Sequence, residues 1–261
     1  MVKCTYLRGG KIEMNIVEEK EFYEKVGKIN GWDFSKMKYD FIDNNEFIYF
    51  NEVNNEVNKN TILLDIGTGG GEKLINYISN DCLLKIGTDF SDEMIKASKR
   101  NIVDRNNIKV LKMNSDKIMF PDEFFDVVCA RHTPFNANEI YRVMKLQGKF
   151  FSEQVDEDDC IELKELFKRG QGYHEKIKLI DKTKEEMKKE KFNDVKFYDI
   201  TQYEYYETEE DLLFLLNNTP IIPDFGKIKG DIEKFNKYVD RNKSDKGILL
   251  KRKLFGIKAI K

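Results

Sequence analysis

Asp65, Gly67, Gly69 and Gly71 stand two residues apart in the run Leu63-Leu64-Asp65-Ile66-Gly67-Thr68-Gly69-Gly70-Gly71-Glu72. Glycines at that spacing let a backbone turn sharply and approach a ligand more closely than a Cβ allows. The apolar residues before them read as a buried parallel strand, and the residues after them as a helix. The first N–H groups of such a helix have no partners within it and point at whatever the loop holds. This is the chemistry of a nucleotide-type cofactor site. A dinucleotide fingerprint needs its third glycine three residues after the second. Glu72 occupies that position, and a carboxylate there is a poor neighbour for a pyrophosphate.

The next strand-like run ends in Ile86-Gly87-Thr88-Asp89-Phe90-Ser91. An acidic residue about twenty positions beyond a glycine loop suits a ribose, because one carboxylate accepts hydrogen bonds from both hydroxyls. Asp89 could instead cap the following helix, but Ser91 is the better cap, since it puts Asp92 and Glu93 in the first turn where the helix dipole favours them. Further on, Cys129-Ala130-Arg131-His132-Thr133-Pro134-Phe135-Asn136 follows a fourth strand-like run. In a doubly wound sheet the ligand lies at the carboxyl ends of the strands. His132 is therefore a candidate general base, its ordinary pKa lying near neutrality, or else a residue that orders the loop. Arg131 is placed to meet a carboxylate, of a ligand or of a neighbour.

As a set, these segments resemble the class I S-adenosylmethionine-dependent methyltransferases, in particular the type 11-like members. Asp65-x-Gly67-x-Gly69-x-Gly71 is similar to the first motif of that family, and the tail Glu139-Ile140-Tyr141-Arg142-Val143-Met144-Lys145-Leu146-Gln147-Gly148 to its E-x-x-R-V-L-K-P-G-G. Leu146 and Gln147 depart from that tail, leaving Gly148 alone to make the turn. The resemblance covers about residues 60–155. It implies S-adenosylmethionine as cofactor, a donor with no phosphate beside which Glu72 is tolerable. It implies cofactor contacts at Asp65, Gly67, Thr68, Gly69 and Gly71, and at Asp89 for the ribose. Phe90 and Met94 would wall the adenine, although Met94 also reads as core. Asp116 would meet the adenine amino group, with Ser115 and Lys117 beside it. Arg131 would reach the cofactor carboxylate. No metal is implied.

The elements that must position these residues follow from pattern. Strand-like runs at 62–66, 83–88, 108–113, 125–130 and 148–155 alternate with helix-like stretches at 71–79, 91–104, 136–145 and 158–169. That alternation argues a parallel sheet with helices on both faces. Residues 195–206 and 248–260 match the antiparallel strand pair that closes the sheet of the resembled family. The expectation is an α/β, doubly wound, Rossmann-like, seven-stranded and mostly parallel sheet. Residues 60–261 form the methyltransferase domain and residues 1–59 a helical N-terminal extension and lid, helix-like at 17–29 and 40–58. Residues 207–245, too long for a hairpin turn, form an insertion over the active-site end. With it, Phe22, Tyr23, Trp32 and Phe34 are candidates for an apolar acceptor pocket.

Composition narrows the function. The chain has 261 residues, 35% of them charged, with a net charge of −2. This gives no general attraction for nucleic acid or anionic membrane. No apolar run reaches the length of a membrane span and no signal peptide opens the chain. The four cysteines are scattered without a C-x-x-C pair, arguing against zinc or a disulfide framework and for reduced thiols in a cytoplasmic protein. The leading expectation is transfer of a methyl group to a small-molecule acceptor. An RNA or protein methyltransferase, supported by the lysines of 176–191 and 251–253, and a non-catalytic S-adenosylmethionine-binding regulator are the alternatives.

Overall fold

The computed structural model describes Phe34 and residues 37–261. Five parallel strands form its centre: β2 (Ile62–Ile66), β3 (Leu84–Asp89), β4 (Ile108–Lys112), β5 (Phe125–Arg131) and β6 (Met144–Val155). Two long antiparallel strands, β7 (Asp194–Tyr206) and β9 (Gly247–Ile260), continue the sheet beyond β6. β1 (Tyr39–Ile42) lies on the outer edge of β7, and β8 (Lys243–Ser244) forms a hairpin with β9. The order is β1-β7-β9-β6-β5-β2-β3-β4, with β8 off this path.

The described sheet thus has nine strands where seven were expected. The additions have local causes. Tyr39 to Ile42 pair with Tyr206 to Tyr203 along the end of the 13-residue β7, giving a strand where a helix-like stretch was expected. The helix of that stretch, α1 (Tyr49–Asn54), is only six residues long. β8 exists because Gly247, at φ +117°, permits a tight reversal into β9. The segment 17–29, with Phe22, Tyr23 and Trp32, lies outside the described residues.

Helices cover both faces: α2 (Glu72–Asn76), α3 (Asp92–Asn101), α4 (Ala137–Val143), α5 (Ile161–Phe167) and α6 (Leu179–Lys189), then α7 (Glu209–Asn218) and α8 (Asp231–Asn242) between β7 and β8. Ser91 caps α3, its hydroxyl accepting from the Met94 amide at 3.3 Å. One core lies between the sheet and α4, with Leu64, Val128, Ile140 and Phe150 fully buried. Another, on the opposite face, holds Phe47, Leu63, Leu74 and Phe151. A third joins α5, α7 and α8 to the ends of β7 and β9 through Phe167, Leu212, Phe235 and Leu250. Asp126 is a brace, accepting from the Ile62 amide and from Lys145 Nζ, each at 2.8 Å.

The turn before the second half of β6 explains its departure from the family pattern. Gln147 carries the left-handed conformation, at φ +64°, where a glycine is usual. Gly148 is needed for space instead: a Cβ there would stand 2.7 Å from the Lys145 carbonyl oxygen. The three nearest atoms, the Lys145 oxygen and nitrogen and the Asp126 carbonyl oxygen, are all backbone, so Gly148→Ala is expected to cost about 1–3 kcal/mol of stability, read as a lower urea midpoint with an unchanged slope. An unchanged midpoint would refute the contact.

Candidate active site

The sheet order reverses at β2, which has β3 on one side and β5 on the other. Connections diverge at such a point and leave a crevice at the strand ends. There, a cleft of about 1160 Å³ runs from the glycine loop to the ends of β7 and β9.

The loop after β2 explains the spacing of its glycines. Gly67, Gly69 and Gly71 all have positive φ, at 68°, 56° and 80°, so every second residue adopts a conformation costly for other side chains. A Cβ on Gly67 would also stand 2.4 Å from Thr133 Oγ1 of the loop after β5. Asp89, at the end of β3, clasps this loop: one carboxylate oxygen accepts from the Gly69 amide at 3.0 Å and the other from the Ser91 amide at 2.9 Å. Asn101 of α3 donates to the Gly70 carbonyl at 2.9 Å and to Glu72 at 3.1 Å.

Asp65 lies deeper in the cleft. Burial raises its carboxyl to about 6; the Thr68 hydroxyl beside it pulls the other way, and the Asp89 charge adds to the rise. A cation bound against it would restore the ionised form. Affinity for such a ligand should therefore climb with pH through about 6 and level off above 7. Binding at pH 5 is expected to be about ten-fold weaker than at pH 7.5, and Asp65→Asn should flatten that dependence. Calorimetry at the two pH values checks both statements.

At the end of β5 the chain turns through His132, whose φ of +52° is a strained value for this residue. Its amide donates to the Glu153 carbonyl at 2.8 Å. The Glu153 side chain, 5% exposed, takes Arg131 Nε at 2.7 Å, and His132 Nε2 lies 3.2 Å from the same oxygen. Burial alone would raise the Glu153 carboxyl, but Arg131 and His132 hold it at about 2. Burial, reinforced by Arg131, lowers the His132 imidazole to about 4 against the opposing pull of Glu153. Gln154 donates to the Thr133 carbonyl at 2.9 Å and so ties the same loop to β6.

The far end of the cleft is aromatic and charged. Phe34, Tyr39, Phe41, Tyr49, Phe50 and Tyr206 line it, as do Leu215, Thr219, Pro220 and Ile221 from the segment between β7 and β8. Tyr39 stacks on Tyr206 with centroids 5.3 Å apart, and the Arg131 guanidinium lies 5.6 Å from the centre of the Phe50 ring. Arg252 of β9 binds both oxygens of Asp159, at 2.8 and 3.1 Å, and reaches Glu204 at 3.3 Å; Glu204 accepts from the Tyr206 hydroxyl at 2.7 Å.

The cleft thus brings together Asp65, Gly67, Thr68, Gly69, Asp89, Phe90, Arg131 and His132. Gly71 starts α2 behind the loop and Met94 is buried. Ser115, Asp116 and Lys117 lie outside the lining. Asp116 is exposed in a turn, where its amide donates to Asn114 Oδ1 at 3.0 Å. The sequence reading had no place for Asp159, Glu204, Tyr206 and Arg252. The alternation of Glu204 and Tyr206 on one face of a strand was visible, but the register that sets Arg252 beside them was not. Among the described residues, no cluster of His, Cys, Asp and Glu is placed to hold a metal, and no helix is long and apolar enough to cross a membrane.

Residues 64–152 match the methyltransferase domain family. That match supports S-adenosylmethionine as the cofactor. Solved structures share the fold at low identity. YcgJ of Bacillus subtilis superposes with a TM-score of 0.55 at 15% identity, covering 81% of this chain and 95% of its own. A Deinococcus radiodurans protein of unknown function gives 0.53 at 13%, covering 92% and 98%. A Bacillus halodurans protein, provisionally described as a methyltransferase, gives 0.50 at 17%, covering 81% and 96%. No curated protein matches the sequence.

The donor set fits this cofactor better than a dinucleotide. Asp65, Glu72 and Asp89 all line the glycine-loop end. Three carboxylates would repel a diphosphate, whereas an ammonium, a sulfonium and two ribose hydroxyls suit them.

Proposed function

We propose that this protein transfers the methyl group of S-adenosylmethionine to a small-molecule acceptor. The observation that carries the reading is the continuity of the cleft. The carboxylate-lined glycine loop, suited to the donor, opens directly into an aromatic chamber beside Arg131 and His132, suited to an acceptor. Its volume of about 1160 Å³ exceeds the roughly 300–1,000 Å³ of a single small-molecule site, leaving room for two ligands.

When bound, the cofactor supplies an activated methyl group, so the work of the protein is alignment and the exclusion of water. Asp89 and the glycine loop fix the nucleoside end, and Asp65 takes the amino-acid end. Phe34, Tyr39 and Phe41, with Leu215 and Ile221, wall the acceptor side. Calorimetry with S-adenosylmethionine, S-adenosylhomocysteine and NAD tests the reading. The first two should bind and NAD should not. Preference for NAD, or no binding at all, would sink it.

A further inference from the structure

We infer that Glu204, Tyr39, Phe41 and Tyr206 form a cation-binding patch in the wall of the cleft, and that the methyl acceptor carries an organic ammonium group which this patch anchors. The inference rests on the methyltransferase reading of the cleft and names the acceptor class for it.

Register brings the four residues together. Across the antiparallel pair of β1 and β7, Tyr39 stands opposite Tyr206 and Phe41 opposite Glu204. Residues two apart on a strand share a face, as do residues directly opposite each other, so all four lie on one face of the ladder. All four line the cleft. The Tyr39 ring stacks on that of Tyr206 at 5.3 Å and lies 6.4 Å from that of Phe41. The Tyr206 hydroxyl donates to Glu204 at 2.7 Å. One carboxylate thus shares a face with three aromatic rings. Ring faces and a carboxylate both attract a cation.

The charges around Glu204 favour a further cation. Arg252 gives Asp159 two hydrogen bonds, at 2.8 and 3.1 Å, but reaches Glu204 through one nitrogen at 3.3 and 3.4 Å. Lys164 is the other cation near Asp159; it does not line the cleft, and Asp156 acts on it as well as Asp159. Three buried carboxylates, Asp156, Asp159 and Glu204, therefore share two cations. A buried charge left in excess calls for a partner. Arg131 does not supply it, because Glu153 takes its Nε at 2.7 Å. Burial, reinforced by the Glu204 charge, raises the Tyr39 hydroxyl above its ordinary value, so that charge is felt at the chamber wall.

An ammonium on this patch gains a charge-assisted hydrogen bond to Glu204 and the attraction of the rings. A hydroxyl gains only a hydrogen bond without its own charge, and a carboxylate is repelled. Phe34, Leu215 and Ile221 wall the same end of the cleft and suit an apolar body on the ligand. A protonated nitrogen has no lone pair, so the ammonium is an anchor and not the attacking atom.

Phenethylamine, 2-phenylethanol and 3-phenylpropionate share one body and differ in charge. Calorimetric titration of the full chain with each, both ligand-free and saturated with S-adenosylhomocysteine, reads the preference at pH 7. The amine should bind at least about ten-fold tighter than the alcohol, and the acid more weakly than either. Glu204→Gln should bring amine and alcohol to within about two-fold of each other. Tyr39→Leu should weaken the amine about three-fold more than the alcohol. Equal binding of amine and alcohol, preference for the acid, or no binding of the amine would overturn the inference on the wild type alone, with no variant required to fold. An amine preference kept in full by Glu204→Gln would overturn it as well. Failure of S-adenosylhomocysteine to bind is a separate result: it removes the methyltransferase reading, while titration of the ligand-free protein still decides whether the patch takes a cation.

Discussion

Asp89→Ala is expected to weaken S-adenosylmethionine binding by at least about a hundred-fold. Two ribose hydroxyls on one carboxylate are two charge-assisted hydrogen bonds, each worth about 1.5–3 kcal/mol, and about 1.4 kcal/mol is ten-fold in affinity. The loss should exceed the bare sum of part of that contact, because the same carboxylate holds the Gly69 and Ser91 amides in place. Without it the glycine loop would order on binding, adding an entropic cost. Asp89→Asn separates the two roles. An amide oxygen still accepts from one backbone N–H, so loop geometry survives better than the charge does. The asparagine variant should fall between the wild type and the alanine variant. Calorimetry on the three proteins is the measurement: equal affinities would refute both roles, and an asparagine variant equal to wild type beside a weakened alanine variant would mean that Asp89 serves only to brace the loop.

The contrast between Asp89 and the far end of the cleft shows what a sequence exposes. The central strands are short apolar runs bounded by turn residues, and burial on both faces makes such runs legible. Hence 62–66 and 125–130 coincide closely with β2 and β5. The glycine loop and Asp89 are legible for a similar reason: one strand–turn–helix unit places them, and each neighbour is near in sequence or in the adjacent strand. β1 was not legible. Its four residues are all exposed, and only the free edge of β7 makes a strand of them. Nor was the grouping of Asp159, Glu204 and Arg252. These residues come from the loop before α5, from β7 and from β9, and the pairing of Gln202 with Arg252 is a matter of register across a sheet. Register follows from how two long strands settle against the core, and no local pattern states it. Glu153 sits between the two cases. It lies near the end of a strand-like run visible in the sequence, while its grip on Arg131 depends on the alignment of Arg131 with Glu153 across β5 and β6.

That charged group carries the largest expected effect on stability. Arg252 faces two carboxylates, and Asp159 is 1% exposed. Burial would push the Asp159 carboxyl up, yet Arg252 holds it below its ordinary value. Arg252→Ala leaves Asp159 and Glu204 buried beside each other with no guanidinium between them. Removing one partner of such a set costs about 3–5 kcal/mol, a large share of the roughly 5–15 kcal/mol that keeps a domain folded. A midpoint of thermal unfolding lower by about 10 °C is expected for a chain of this size. The pH dependence has a definite sign. A carboxyl whose folded pKa is depressed contributes stability that is present above its unfolded pKa and lost as pH falls through its folded one. In the variant the carboxyl pKa rises instead, so protonation relieves the repulsion. The gap between wild type and variant should therefore be widest at neutral pH and narrow as the solution is acidified. Neutralising the remaining charges should act in the same direction. The triple variant Arg252→Met, Asp159→Asn, Glu204→Gln is expected to recover most of the loss, since replacing a whole buried ionic set is often close to neutral. Urea unfolding of the three proteins at neutral and acidic pH decides the matter. If Arg252→Ala lost the same stability at both pH values and the triple variant recovered nothing, Arg252 would be holding the end of the sheet by packing, not by charge.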